Sequence, residues 1–213
     1  MLKLNLGCGP IKPPGWMNVD GSHRAWLATC LPLIDRLLVR CKVLPETEFG
    51  RTAIFADLTK PLPWGDGVAS VVYLGELLEH LTRDDAVRLL AECYRVLGPG
   101  GIIRVRVPDN ARFWQNYLGE YESIRAQPRA EWSDTHTRWV EMFFREICVR
   151  PRLLSSSAHY HKWMWDEVSL TLALEGVGFT GVRRRALFDS AIADVTAVET
   201  REDLTMEGAK PAA

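Results

Sequence analysis

The first ten residues constrain this chain more than any other segment. Leu4-Asn5-Leu6 runs directly into Gly7-Cys8-Gly9-Pro10. A short apolar run bounded by glycines reads as a buried strand, so residues 2–6 are expected to be one. Glycines after a strand let the backbone turn sharply and bring bare N–H groups close to a ligand. Pro10, Pro13, Pro14 and Gly15 then forbid a helix of any length. Dinucleotide-binding turns want a third glycine, a helix, and an acid roughly 20 residues on. Here the next acid, Asp20, comes much sooner. The turn therefore suits a ligand without a polyphosphate.

Downstream, strand and helix signals alternate. Met17-Asn18-Val19-Asp20 reads as a second strand, and residues 24–43 as a helix interrupted at Pro32. Residues 52–56 read as a third strand, followed by Asp57. Residues 68–74 form a strongly apolar fourth. Residues 84–97 predict an amphipathic helix with Ala86, Leu89, Leu90, Cys93 and Val96 on one face, ended by Gly98-Pro99-Gly100-Gly101. Residues 102–107 are the next strand. A helix over 166–175, capped by Asp166, precedes two strands near 181–188 and 203–210. Such alternation argues for a doubly wound, mostly parallel α/β sheet. At 213 residues the chain is expected to be a single domain, 1–213.

Residues 110–165 break the rhythm. They predict helices near 111–125 and 137–149 and carry more than half of the chain's aromatics. This stretch is expected to be a helical, aromatic-rich lid or substrate insertion, most of its rings forming the lid's own core.

The ends of parallel strands converge on one crevice. A glycine turn after strand one, Asp20 after strand two and Asp57 after strand three would meet there. An acid in that place accepts hydrogen bonds from paired hydroxyls or from an amine. The set suits an adenosine-bearing ligand.

At this point a resemblance is clear. The chain resembles the class I S-adenosylmethionine (SAM)-dependent methyltransferases. The matching stretches are Leu4–Gly9, Asn18–Asp20, Ala56-Asp57-Leu58 with Pro61-Leu62-Pro63, Leu77–Leu81, and Arg95–Gly101. The resemblance implies a seven-stranded sheet with an antiparallel final hairpin. It implies that Gly7, Cys8 and Gly9 lie under the methionine part of SAM, that Asp20 holds the ribose hydroxyls, that Asp57 and the Leu58 N–H read the adenine, and that Gly75-Glu76 faces the sulfonium. The missing helix after strand one, Gly15-Trp16 and His161–Asp166 resemble a bacterial subgroup linked to sugars and cell-surface polysaccharides. That subgroup includes a mycobacterial enzyme that O-methylates methylmannose polysaccharide precursors.

The acceptor implied is a sugar or oligosaccharide hydroxyl, a mannoside in the narrowest version. A small lipid or aromatic metabolite is the alternative. Nucleic-acid methylation ranks lower: net charge is −1 and pI about 6.5, with no basic pull toward a polyanion. Non-catalytic SAM binding ranks lower too, because the donor motifs are whole. An alcohol acceptor must lose its proton to a base or to a metal that acidifies it. Glu76, His159 and His161 are the base candidates. Asp134 with His136 is a weaker pair, and Glu79 with His80 reads as a structural pair at a helix start. Mg2+ is compatible with hydroxyl chemistry, but no spacing assigns metal ligands. Five cysteines without a C-x-x-C pair argue against a zinc cluster or disulfide framework. With no signal-peptide pattern and no apolar run of roughly 18 residues, a cytoplasmic protein is expected, and a homodimer is left open.

Overall fold

The computed structural model describes residues 1–44, 53–147 and 160–212. The elements are β1 (Leu2–Leu6), β2 (Met17–Asp20), α1 (His23–Cys30), α2 (Pro32–Arg40), β3 (Ile54–Phe55), β4 (Ala69–Gly75), α3 (Arg83–Val96), β5 (Leu97–Val107), α4 (Asn110–Arg125), α5 (Thr137–Ile147), α6 (Glu167–Gly176), β6 (Thr180–Arg184) and β7 (Leu204–Ala209). The strands form one seven-stranded sheet in the order β3-β2-β1-β4-β5-β7-β6. Only β7 runs against its neighbours, pairing antiparallel with β5 and β6. The doubly wound, mostly parallel sheet is as expected. No helix among the described residues is long and apolar enough to cross a membrane.

Alternation along β4 sends side chains to two apolar layers. Val72 and Leu74 join the larger core with α3 and α6, where Ala86, Leu89, Leu90, Cys93, Leu170 and Leu174 are buried. Val71 and Tyr73 join a smaller cluster with Trp16, Ile192, Val195 and Val198. Part of that second face is thus covered by Trp16 and by the segment before β7. Asp194 pins this cover, accepting from Trp16 Nε1 at 2.9 Å and pairing with Lys3.

Several boundaries differ from the sequence reading: β6 ends at Arg184 rather than near 188, and the first helical stretch ends at Arg40 rather than 43. The helix before β5 stops at Val96, and Leu97 is already extended (φ −71°, ψ 134°). The Gly98–Gly101 run lies inside β5 rather than beyond a helix C-terminus. A ladder irregularity accommodates it, since Ala69 pairs with Leu97 but Val71 with Ile102. The strand wins because Gly100 and Gly101 are bonded to Lys210 through their backbones, at 3.0 and 2.9 Å. Pro32 does divide the first helical stretch, standing at the start of α2. The start of the third strand at Thr52, the end of the helix near Val149, Cys148 and His159 all lie outside the described residues.

The aromatic stretch also differs from expectation. Helix α4 has no buried residue. Phe113, Trp114, Tyr117, Trp139 and Phe143 of α4 and α5 contact one another, with ring centroids 5.0–6.1 Å apart. All of them remain partly or largely exposed, so the cluster is a two-helix patch rather than a closed core. Trp165 alone among the expected lid aromatics is fully buried, and it belongs to the sheet's main core. The chain leaves the sheet at Asp109 and returns at Trp165. There the Asn110 N–H donates to the Trp165 carbonyl at 2.9 Å.

Candidate functional site

The register of the sheet builds one edge. Leu6 pairs with Val19 on one side and with Leu74 on the other, and Asp20 pairs with Phe55. The C-terminal ends of β1, β2, β3 and β4 are therefore level. Gly7, Asp20, Asp57 and Gly75 stand beside or just beyond them. The chain order reverses between β1 and β4, the place where open α/β sheets bind ligands.

Gly7 and Gly9 adopt φ of +69° and +49°, a region open to glycine at little cost. A Cβ on Gly7 would meet the Leu77 side chain at 3.0 Å. Asp20 is buried, and its carboxylate is fixed at both oxygens. The Gly9 N–H donates to Oδ2 at 3.0 Å and the Ser22 N–H to Oδ1 at 2.7 Å. A carboxylate oxygen has room for a second donor, so this one can still accept two adjacent hydroxyls. The Cys8 N–H donates to the Val19 carbonyl, and its thiol is buried. Burial first, then the Asp20 charge, pushes that thiol up to about 12. It packs and does not act as a nucleophile.

Sequence reading missed what holds this turn. Asn5, buried in β1, donates from Nδ2 to the Ile11 carbonyl at 2.9 Å and to Asn18 Oδ1 at 3.0 Å. Asn18 in turn donates to the Pro13 and Trp16 carbonyls, at 3.1 Å each. Two amides thus brace the loop that stands where a helix would be. Asparagine is depleted in strands, so two of them at paired strand positions were the available signal.

Asp57 is exposed. Its Oδ1 accepts from both the N–H and the hydroxyl of Thr59, at 3.0 and 2.7 Å, and these bonds hold the carboxyl below its ordinary range. Leu58 beside it is buried. A Cβ on Gly21 would lie 2.9 Å from the Ala56 carbonyl, so the β2 and β3 ends approach too closely for any larger residue.

Beyond β4 the chain makes a second cluster. Glu76 has a positive φ of 54°, uncommon for a residue with a side chain. Its carboxylate pairs with Arg106, whose Nε donates to Oε1 at 3.2 Å, and with Arg201. Burial raises its carboxyl above the usual range while the two guanidiniums oppose that shift. One turn on, Leu78–His80 form a short 3-10 helix. Glu79 in it is 1% exposed, and neither of its carboxylate oxygens has a hydrogen-bond partner among the described residues. The Glu79 carbonyl accepts from the N–H groups of Lys162 and Trp163, at 2.7 and 3.2 Å. These bonds seat residues 160–163 against the 3-10 turn and bring His161 edge-on to His80, ring centroids 5.2 Å apart.

Residues 4–105 match the family model described as a methyltransferase domain. That match covers just under half of the chain, and over it the chain is similar to methyltransferase domains. Two solved structures share its architecture. One, from Thermotoga maritima, is a SAM-dependent methyltransferase described as a possible histamine N-methyltransferase. It superposes with a TM-score of 0.50 at 17% identity, over 98% of this chain and 82% of that one. The other, a SAM-dependent methyltransferase from Methanosarcina mazei, gives 0.51 at 12% identity, over 99% and 92%. At these identities the likeness speaks for the fold alone. No curated protein matches the chain.

The residues expected from the sequence to hold a methyl donor, Gly7, Cys8, Gly9, Asp20, Asp57, Leu58 and Gly75, stand along the β1–β4 edge. Of the base candidates, Glu76 and His161 lie in the corner after β4, and His159 is outside the described residues. Asp134 and His136 are elsewhere. His136 sits among the rings of Tyr117 and Tyr121, at 5.8 and 5.6 Å. Glu79 and His80, read from sequence as a structural pair, turn out to stand beside His161.

Proposed function

We propose that this chain methylates a sugar or oligosaccharide hydroxyl, with SAM as donor. What carries the reading is the corner after β4. It combines carboxylates and imidazoles next to the donor edge, with an aromatic two-helix insertion following β5.

In this reading Gly7, Cys8 and Gly9 cradle the methionine part, Asp20 holds the ribose hydroxyls, and Asp57 with the Leu58 N–H selects adenine. Gly75, whose missing side chain makes way for the Tyr73 ring, faces the sulfonium. SAM supplies a methyl carbon on sulfur; the acceptor oxygen bonds to it as the C–S bond breaks and its electron pair goes to sulfur. The protein's task is then alignment, which converts an encounter into an in-line approach, and removal of the hydroxyl proton. Proton removal falls to the Glu76–His161 corner. Arg106 and Arg201 fix the Glu76 carboxylate in place. The exposed rings of α4 and α5 offer flat faces for the C–H faces of a sugar, and residues 110–165 serve as a lid that excludes water.

The test is methyl transfer from labelled SAM to a panel of short mannosides and related glycans, with SAM binding measured in parallel. Label recovered in a sugar is the expected result. No label in any glycan, from protein that binds SAM, overturns the reading and favours a small lipid or aromatic acceptor.

A further inference from the structure

We propose that Glu79, His80 and His161 form a binding site for a single divalent first-row transition ion at the acceptor side of the domain. The carboxylate oxygen and the two imidazole nitrogens all lie within 4.8 Å of one another. His80 Nε2 stands 4.0 Å from Glu79 Oε1, too far for a hydrogen bond. Donors bound to one such ion at roughly 2.0–2.2 Å lie about 3–4.4 Å apart, so small side-chain shifts close the set.

The independent observation is Glu79 itself. A buried carboxylate without a partner is costly, and native proteins rarely carry one without a use for it. Glu76 and Asp203 add negative field at the same point, partly offset by Arg201. A dication in this place satisfies the orphaned oxygens and reverses the local balance of charge. Contacts with the backbone already orient parts of this set. His80 Nδ1 lies 3.3 Å from the Tyr160 carbonyl, which leaves Nε2 directed at Glu79. A second bond of this kind on the far nitrogen commonly orients a metal-bound imidazole. The Glu79 carbonyl holds the segment that carries His161, accepting from the Lys162 and Trp163 N–H groups.

The donor set also selects the ion. One carboxylate and two imidazoles suit Mn2+, Fe2+, Co2+ or Zn2+. Mg2+ and Ca2+ favour oxygen almost throughout. Three protein ligands leave positions open, and an acceptor hydroxyl bound there would be acidified; with His161 held by the ion, the proton passes to Glu76. That last role rests on the proposed function; ion binding does not.

The experiment titrates EDTA-stripped full-length protein with Mn2+, Co2+ and Zn2+ in turn. Bound metal is counted by elemental analysis, and Co2+ is also followed by its visible absorption. One tight equivalent is expected in the wild type. Glu79→Gln and His161→Ala should each weaken binding about 10–100-fold while SAM affinity is retained as the check on folding. Wild-type protein that binds no equivalent of any of the three ions overturns the site. Binding undiminished in both variants overturns it as well. The sugar assay separates the two proposals. A bound ion with no labelled glycan sinks only the acceptor reading. A labelled glycan unaffected by EDTA, from protein that takes up no ion, sinks only the metal site.

Discussion

Two buried glutamates of this domain have opposite surroundings. Glu199 is 2% exposed and Glu79 is 1% exposed. Glu199 accepts from Arg104 at both oxygens, from Nε at 3.0 Å and Nη2 at 2.7 Å, and from the Phe188 N–H at 2.8 Å. Arg104 reaches on to Glu207 and to the Asp189 and Ala186 carbonyls. That network ties β5 to β7 and to the segment covering the second face of the sheet. Every polar group in it has a use within the fold. Glu79 has none of this. The satisfied Glu199 charge belongs to the structure, whereas the Glu79 carboxyl, without a hydrogen-bond partner among the described residues, is the group the proposed ion would take up.

The comparison can be broken directly. Glu199→Gln strips the buried Arg104 of its main counter-charge and should cost about 3 kcal/mol or more. Burial pushes the Glu79 carboxyl well above the usual range, so Glu79→Gln replaces a group that no described hydrogen bond uses, and should shift stability by less than about 1 kcal/mol in metal-free protein. Urea unfolding of the two variants beside the wild type reads the difference. Equal losses would erase the distinction between a structural and a functional buried carboxylate.

A smaller contrast sits on the donor edge. Asp20 is buried and takes two backbone N–H groups, while Asp57 is exposed and takes its bonds from Thr59 alone. Hydrogen bonds to a charged group contribute about 1.5–3 kcal/mol. Asp20→Asn should therefore weaken SAM roughly 10–100-fold by calorimetry. Asp57→Asn should weaken it only a few-fold, because water competes at that surface. The reverse ranking would mean that Asp57 dominates donor recognition and that Asp20 mainly braces the turn.

The same contrast explains what could be read without the structure. The proposed donor edge could be assembled from sequence because its signals are local. Gly7, Gly9 and the prolines fix the turn, and Asp20 and Asp57 follow strands that alternation identifies. The Arg104–Glu199 pair was not legible, since its members are 95 positions apart and look like ordinary surface charges in sequence. Glu79 and His80 were visible as a motif, but their meaning depends on His161 arriving through a backbone contact. The lid aromatics misled for a related reason. Trp114, Tyr117 and Tyr121 recur at the spacing of one helix face, yet α4 buries nothing. Helical periodicity shows that a face is apolar and leaves open what covers it. The glycines after α3 misled differently: a Gly-Pro-Gly-Gly run ends helices and also interrupts ladders, and pairing with Lys210 decided between these.

Cysteine reactivity gives the finest version of the comparison, within one residue type. Cys8 sits in the donor turn, buried and raised to about 12, whereas Cys30 and Cys41 are exposed. The thiolate is the reacting form. At pH 8 an ordinary thiol near 8.5 is roughly one quarter thiolate, while Cys8 should be thiolate in about one molecule in ten thousand. Iodoacetamide followed by peptide mass spectrometry should label Cys30 and Cys41 and leave Cys8 unmodified. The sign with pH follows from the raised value: below about 12 each added pH unit increases the Cys8 thiolate roughly tenfold, whereas an ordinary thiol is already near saturation at pH 10. Cys8 labelling at pH 8 as fast as Cys30 would mean that the donor turn opens in solution and that the Asn5–Asn18 brace does not hold it closed.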